Sequence, residues 1–349
     1  MKKKECVAYC LRQKPLEPLK KSGSASAPLN IALVKYWGKR NEELHLPITS
    51  SLSLSLSLKT TTEVQLYSRS QRDKDYFELN GKPLHEASPF YKRLSSYLDL
   101  FRASPDVIFQ VSTTNEMPTS AGLASSASGF AALVLALDDL FEWQLSRDLL
   151  SILARLGSGS ACRSLFSGFA LWQKGTRADG LDSHAVPIPD TWPSLAMAYV
   201  PISNEEKPIS SREAMKRTVA TSPLYRMWPE LTEGHIYEAL QAIQQRDFTK
   251  IGEIAEQSAL NMHATMMTSS PPILFWQPLT INILHRVWQA RAMGLAVYAT
   301  LDAGPNVKLL FLEEQRSLLH HYFPEAINLD PLWCMEKAVL SKEPSPPNS

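Results

Sequence analysis

From Ser50 to Leu58 the chain alternates serine and leucine, Ser50-Ser51-Leu52-Ser53-Leu54-Ser55-Leu56-Ser57-Leu58, with a strict period of two. An extended backbone turns successive side chains to opposite faces, so the run gathers its leucines on one side and predicts a half-buried strand. Apolar runs at 32–37, 64–67 and 107–111 predict further strands, and helices are expected at 89–101, 125–140 and 146–156. In the second half, strands are expected at 195–200, 295–301 and 307–312, the last two as a hairpin turning at Ala303-Gly304-Pro305-Asn306 with Asp302 beside the turn. Helical stretches lie between them at 212–221, 234–245, 248–267 and 279–293. Strands mixed with segregated helices give an α+β chain in two lobes, 24–190 and 191–335, joined near 186–193.

The segment Pro118-Thr119-Ser120-Ala121-Gly122-Leu123-Ala124-Ser125-Ser126-Ala127 runs directly into an apolar segment of helical period. Gly122 permits a turn that few side chains tolerate. The serine hydroxyls can donate to phosphate oxygens, and a helix start directs free N–H groups at an anion. No Gly-Lys-Thr or Gly-Lys-Ser closes it as in a Walker loop, and a serine-capped helix start would read the same way.

Charge narrows the partners. Lys plus Arg, 36, nearly cancels Asp plus Glu, 35, in a chain of 349 residues, so overall charge favours neither nucleic acid nor an anionic membrane. The cysteines Cys6, Cys10, Cys162 and Cys334 show neither zinc spacing nor a secreted disulfide framework, which fits a reduced cytoplasm. No apolar stretch reaches the ~20 residues of a membrane span. Residues 1–23, basic and with two prolines, are expected to form a mobile extension, and 336–349 a loose tail.

The order Pro-x-x-x-Gly-Leu-x-Ser-Ser at 118–126 resembles the ATP loop of the GHMP kinase superfamily. Four further segments narrow the resemblance: Asn30 to Arg40, Gly157-Ser158-Gly159-Ser160-Ala161-Cys162-Arg163-Ser164, Met262-His263-Ala264-Thr265-Met266, and Asp302-Ala303-Gly304-Pro305-Asn306-Val307. In this order and spacing they are similar to the mevalonate diphosphate decarboxylase family over about residues 24 to 335. The resemblance implies the two-lobed GHMP kinase fold, with a first lobe like domain 2 of ribosomal protein S5 and a ferredoxin-like second lobe. It implies a homodimer that uses ATP and Mg²⁺ to convert mevalonate 5-diphosphate into isopentenyl diphosphate. Related readings are a kinase or decarboxylase acting on mevalonate or its monophosphate, and a catalytically silent sensor on the same fold.

Residue roles follow the matched motifs. Asp302, by its residues alone also an ordinary turn acceptor, becomes the base; Lys35 keeps it ionised and steadies the phosphoryl group; Arg163 holds the substrate carboxylate. Tyr36, Lys39, Ser158, Ser160, Ser211 and Arg212 line the substrate site, with Ser211 also a candidate cap for the helix it precedes. Pro118, Gly122, Leu123, Ala124, Ser125 and Ser126 bind the nucleotide, and Ser126 meets Mg²⁺. His263 reads as a packed helix residue. Ser120, Ile48-Thr49, Ala214 and Pro187 depart from residues common in the family.

Overall fold

The computed structural model describes residues 1–116, 126–205 and 207–333. In chain order the first half holds α1 (Lys3–Leu11), β1 (Ser22–Val34), β2 (Lys39–Asn41), β3 (Leu46–Pro47), β4 (Ser51–Ser68), β5 (Tyr76–Leu79), β6 (Lys82–Pro83), α2 (Pro89–Leu98), β7 (Val107–Asn115), α3 (Ser126–Phe141), α4 (Arg147–Gly157), β8 (Phe169–Trp172) and β9 (Ala185–Ile188). The second half holds β10 (Leu195–Val200), α5 (Ser211–Thr221), α6 (Trp228–Gln245), α7 (Phe248–Met267), α8 (Pro278–Ala292), β11 (Val297–Leu301), β12 (Val307–Leu312), α9 (Arg316–Tyr322) and β13 (Ile327–Leu329). The chain is mixed α+β. The first sheet runs β6-β5-β7-β4-β8-β9 with β1 also on β4, and the second runs β11-β12-β10-β13.

β4 is the spine. It pairs antiparallel with β1 from Ser22↔Gln65 to Val34↔Leu52, with β8 at its beginning and with β7 over its second half. The serine–leucine run opens this strand, and there the expectation of half-burial fails. Leu52, Leu54 and Leu56 pack with Leu29, Ile31 and Leu33 against Met197, Tyr199 and Ile251 of the second lobe. The opposite face is buried too: Ser51, Ser53 and Ser55 are inaccessible to solvent. Ser51 accepts from Arg163 Nη1 at 2.5 Å and Ser55 donates to the Phe166 carbonyl at 2.7 Å. Serine is small enough to let that close-packed segment approach the strand while supplying hydroxyls to it.

Two other expectations are corrected. β1 ends at Val34, so Lys35, Tyr36 and Trp37 lie beyond the strand and not in its alternation. Residues 1–23 are not a mobile extension. Cys6, Val7, Cys10 and Leu11 of α1 fall on one helical stripe and are buried in the same cluster as Leu44, Leu46 and Leu156. The start of α1 is capped, with the Lys2 amide donating to the Glu5 carboxylate at 2.8 Å. The stretch that follows is tied down as well: Trp143 Nε1 donates to the Pro15 carbonyl at 2.9 Å, and Lys20 pairs with Asp139 at 2.5 Å. The tail expected at 336–349 lies outside the described residues.

Candidate active site

The end of β1, the turn after α4, the start of α5 and the β11–β12 hairpin converge on a cavity of about 920 Å³. Asp302 stands at the hairpin's entry. Its Oδ1 accepts from Lys35 Nζ at 3.1 Å and its Oδ2 from Lys308 Nζ at 2.8 Å. Both ammonium groups are buried, whereas the carboxylate is 44% exposed, toward the cavity. Burial alone would raise the Asp302 carboxyl, but the charges and hydrogen bonds of Lys308 and Lys35 outweigh it and hold the group far below the usual carboxylate range. Lys35 is pushed down to about 8 by burial, opposed by the Asp302 charge. With no strand to continue, its side chain bends back to donate to the Ala32 carbonyl at 2.7 Å.

His263 touches this centre from α7: its Nε2 lies 3.0 Å from the Asp302 backbone carbonyl. Burial pushes its pKa down to about 3, so the ring is neutral and donates Nε2–H to that carbonyl, which fixes the backbone that carries the carboxylate.

Arg163 sits in a 3₁₀ turn, Gly159–Leu165, and is buried. Its Nη2 reaches Asn30 Oδ1 at 3.4 Å, while its Nε has no partner among the described residues. Burial lowers its pKa, and the residue lines the cavity. A buried guanidinium without a carboxylate is costly, and an incoming carboxylate would relieve that cost. Gly159 lets the turn pass Tyr36: a Cβ there would meet the Trp172 ring and the Tyr36 hydroxyl at 2.9 Å each. Tyr36 packs edge-on against Trp172, with ring centroids 4.7 Å apart, and its buried hydroxyl has no partner among the described residues.

Lys39 follows Gly38, whose φ of +109° and contact with the Tyr225 hydroxyl exclude a side chain. Its Nζ pairs with Glu42 at 2.7 Å. At the start of α5 the cap is Ser210, which accepts from the Glu213 amide at 3.2 Å, and not Ser211. That leaves the Ser211 hydroxyl free of capping, and it lines the cavity together with Arg212. Ser158 closes α4 and its Oγ lies 3.0 Å from Ser126 Oγ at the start of α3. Ser160 lines the same wall. Every described residue of the sequence-derived set thus borders one cavity. Pro118, Gly122, Leu123, Ala124 and Ser125 lie outside the described residues.

Sequence reading missed several cations here. Lys308, buried within the apolar run of β12, is a lone lysine in a strand with no solvent face, and that pattern was the signal that could have found it. Lys207 and Arg93 also line the cavity, and neither stands in a pattern that announces it.

Comparison with known proteins covers both halves of the chain. Residues 27–185 match the diphosphomevalonate decarboxylase-like N-terminal domain, and residues 198–345 the mevalonate 5-diphosphate decarboxylase C-terminal domain. The diphosphomevalonate decarboxylase of Candida albicans is 38% identical over 320 residues, covering 86% of this chain and 88% of that protein. The crystal structure of mevalonate diphosphate decarboxylase from Staphylococcus aureus superposes with a TM-score of 0.83 at 38% identity, covering 89% of this chain and 96% of that one. A further solved structure, MDDEF in complex with MVAPP, AMPPCP and magnesium, gives 0.82 at 42% identity, covering 89% and 97%. With both halves matched, the chain belongs to the diphosphomevalonate decarboxylase family.

Proposed function

We propose that the protein phosphorylates the tertiary hydroxyl of mevalonate 5-diphosphate with ATP and then eliminates phosphate and CO₂ to give isopentenyl diphosphate. The observation that carries this reading is the Asp302 carboxylate, clamped by Lys35 and Lys308 and facing the same cavity as the unpaired Nε of Arg163. A carboxylate so strongly ionised is a weak base. It suffices in a loose phosphoryl transfer, where the attacking oxygen becomes acidic only as its bond to phosphorus forms, and a fixed acceptor then takes the proton late. Lys35 keeps that acceptor charged and faces the transferred phosphoryl.

In the second stage Arg163 holds the substrate carboxylate. The C3–O bond breaks with its electron pair going to the leaving phosphate; the C1–C2 pair becomes the C2=C3 double bond, and C1 departs as CO₂. Lys35 and Lys207 meet the phosphate charge that develops. Tyr36, Lys39, Ser158, Ser160, Ser211 and Arg212 position the diphosphate-bearing substrate. The chemistry of the donor set also fits Mg²⁺, which prefers a few hard oxygens together with nucleotide phosphates. The Ser126 hydroxyl stands at a helix start beside Ser158, and Ser126 would hold the ion. Bound there, Mg²⁺ would neutralise phosphate charge. Pro118, Gly122, Leu123, Ala124 and Ser125 belong to this proposal as the nucleotide's loop, and a homodimer as its assembly.

The reading is tested by incubating the protein with ATP, Mg²⁺ and mevalonate 5-diphosphate while following ADP and CO₂ together, with the monophosphate and mevalonate in parallel. Equal ADP and CO₂, fastest with the diphosphate, supports it. ADP without CO₂ makes the protein a kinase and removes the elimination role of Arg163.

A further inference from the structure

Lys35 and Asp302 meet at 3.1 Å although they come from different sheets. Lys35 is the first residue past β1, in the first sheet, and Asp302 the first past β11, in the second. Asp302 and Lys308 belong to one hairpin, so strand register sets their approach. Among the described residues no strand pairing links β1 to β11, and the approach of Lys35 to Asp302 needs another cause. Both residues also stand where their own ladders have stopped. The last pairs are Val34↔Leu52 and Leu301↔Val307, and the backbone groups that follow must find partners elsewhere.

Helix α7 supplies both partners. It packs against β1 and against β11, and two of its buried side chains reach the chain just past each strand. Ser258 Oγ accepts from the Lys35 amide at 2.9 Å, and His263 Nε2 donates to the Asp302 carbonyl at 3.0 Å. The two lie five residues apart, about 7.5 Å along the axis, an interval that a hydrogen-bonded helix holds nearly constant. Ser258 and His263 are each only 1% exposed, so water does not readily replace either bond. The His263 ring is backed by the Trp276 ring, with centroids 5.0 Å apart.

Building on the reading of Asp302 as proton acceptor, we propose that α7 is the ruler for the reacting pair: Ser258 and His263 are positioning residues that set the separation of the Lys35 ammonium and the Asp302 carboxylate across the two sheets. Neither lines the cavity. Their effect passes through the backbone of the two residues that do.

The test compares His263→Leu, which removes the donor, with His263→Gln, whose side-chain amide can place an N–H where Nε2 stood, and with Ser258→Ala. Loss of one buried hydrogen bond predicts a fall in kcat of about tenfold in His263→Leu and about fivefold in Ser258→Ala, with His263→Gln within about threefold of the parent. The KM for mevalonate 5-diphosphate should stay within about twofold in all three. Because both losses release one separation, the double variant should lose less than the product of the single losses. The pair is also read without turnover, by NMR titration of Lys35 in isotopically labelled protein, its signal assigned by its absence in Lys35→Met. The Asp302 charge holds the Lys35 pKa up against burial and the like charges of Lys308 and Arg163. A widened pair should therefore titrate at lower pH in His263→Leu and Ser258→Ala, and at the parental pH in His263→Gln. An unshifted titration in the folded variants, equal kcat losses in His263→Gln and His263→Leu, or losses that multiply in the double variant overturns the proposal. Should His263→Leu fail to fold, the Lys35 titration in Ser258→Ala decides it. A shifted titration in a protein that does not turn over mevalonate 5-diphosphate would sustain the ruler and refute the decarboxylase reading instead.

Discussion

The two ends of the cavity handle positive charge in opposite ways. At the hairpin end, Lys35 and Lys308 are buried but share the Asp302 carboxylate, so much of the charge is balanced within the protein before any ligand arrives. At the α2–α5 end, Arg93 and Arg212 have no carboxylate among the described residues, and only Lys39 keeps a partner, Glu42. A balanced cluster is rigid and holds one carboxylate in one charge state. An unbalanced one is a standing electrostatic deficit that a multiply charged ligand makes good. The first suits chemistry at a reacting oxygen and the second suits affinity for a diphosphate. Arg163 lies between the two types, bonded to Ser51 and Asn30 through its Nη atoms and unpaired at Nε.

The hardest blow to the balanced end is Asp302→Asn. It removes both the proton acceptor and the shared counter-ion, and the rate should fall by roughly 10²- to 10⁴-fold. The stability change carries a second signature. Lys35 and Lys308 are left buried side by side, and a lysine already pushed down to about 8 can shed its proton at alkaline pH. The fall in thermal midpoint should therefore be smaller at pH 9 than at pH 7. A variant with full activity, or an equal fall at both pH values, would break the account of a balanced pair.

Lys308→Met should cost less, about ten- to a hundredfold in kcat, because Asp302 keeps Lys35 while losing its shorter charged hydrogen bond. A change confined to KM would move Lys308 out of the reacting cluster. Residues 307–312 read as a strand from their apolar run, and a lone lysine inside such a run was the local clue. What made Lys308 important was the register Thr300↔Lys308 across the hairpin, which turns it to the same face as Asp302, two residues beyond Thr300. Pattern within one strand is visible in sequence, whereas register between strands is set by tertiary contacts.

The same distinction sorts the other outcomes. The long helices and the β11–β12 hairpin were legible because their apolar periods are local. The serine–leucine strand was legible as a strand, yet its exposure was not, since the Gly159–Leu165 turn covers one face and the second lobe the other. Helix α1 was missed because two of its four buried positions are cysteines in a lysine-rich context, and composition outweighed their i, i+4 spacing. Arg93 carried no signal at all: only the fold shows that it lines the cavity with Arg212.

pH offers a gentler probe of the balanced end. Lys35 loses its proton as pH rises through about 8, and the neutral amine no longer steadies Asp302 or an arriving phosphoryl. At saturating ATP the effect on kcat/KM depends on whether bound phosphates have already raised that pKa. At low ATP, kcat/KM for the nucleotide should fall about tenfold per pH unit above 8, and the corresponding limb in kcat should lie at higher pH. The limb should survive Lys3→Met, although burial pushes Lys3 down to about 8 too, because its ammonium is spent on the Leu156 carbonyl and it is not among the cavity-lining residues. Its disappearance in that variant would assign the titration to Lys3. A flat profile to pH 9.5 would mean that Lys35 keeps its charge.

The smallest effects come from the serines beneath Arg163, and they ask how far the balanced end depends on positioning. Ser51 accepts the short hydrogen bond from Nη1, so Ser51→Ala frees one arm of the guanidinium and should lower kcat a few-fold, about the worth of one hydrogen bond at ~1 kcal/mol. Ser53, two residues along the same buried face, has a hydroxyl with no partner among the described residues. Ser53→Ala removes a desolvated polar atom without taking a bond from anything. Its kcat should be unchanged, and its thermal midpoint should stay level or rise. The pair shares strand, face and chemistry, so steady-state kinetics and thermal melts on both variants separate loss of packing from loss of the Arg163 tether. Equal kinetic losses would mean that the strand as a whole, and not the hydroxyl of Ser51, sets the position of Arg163.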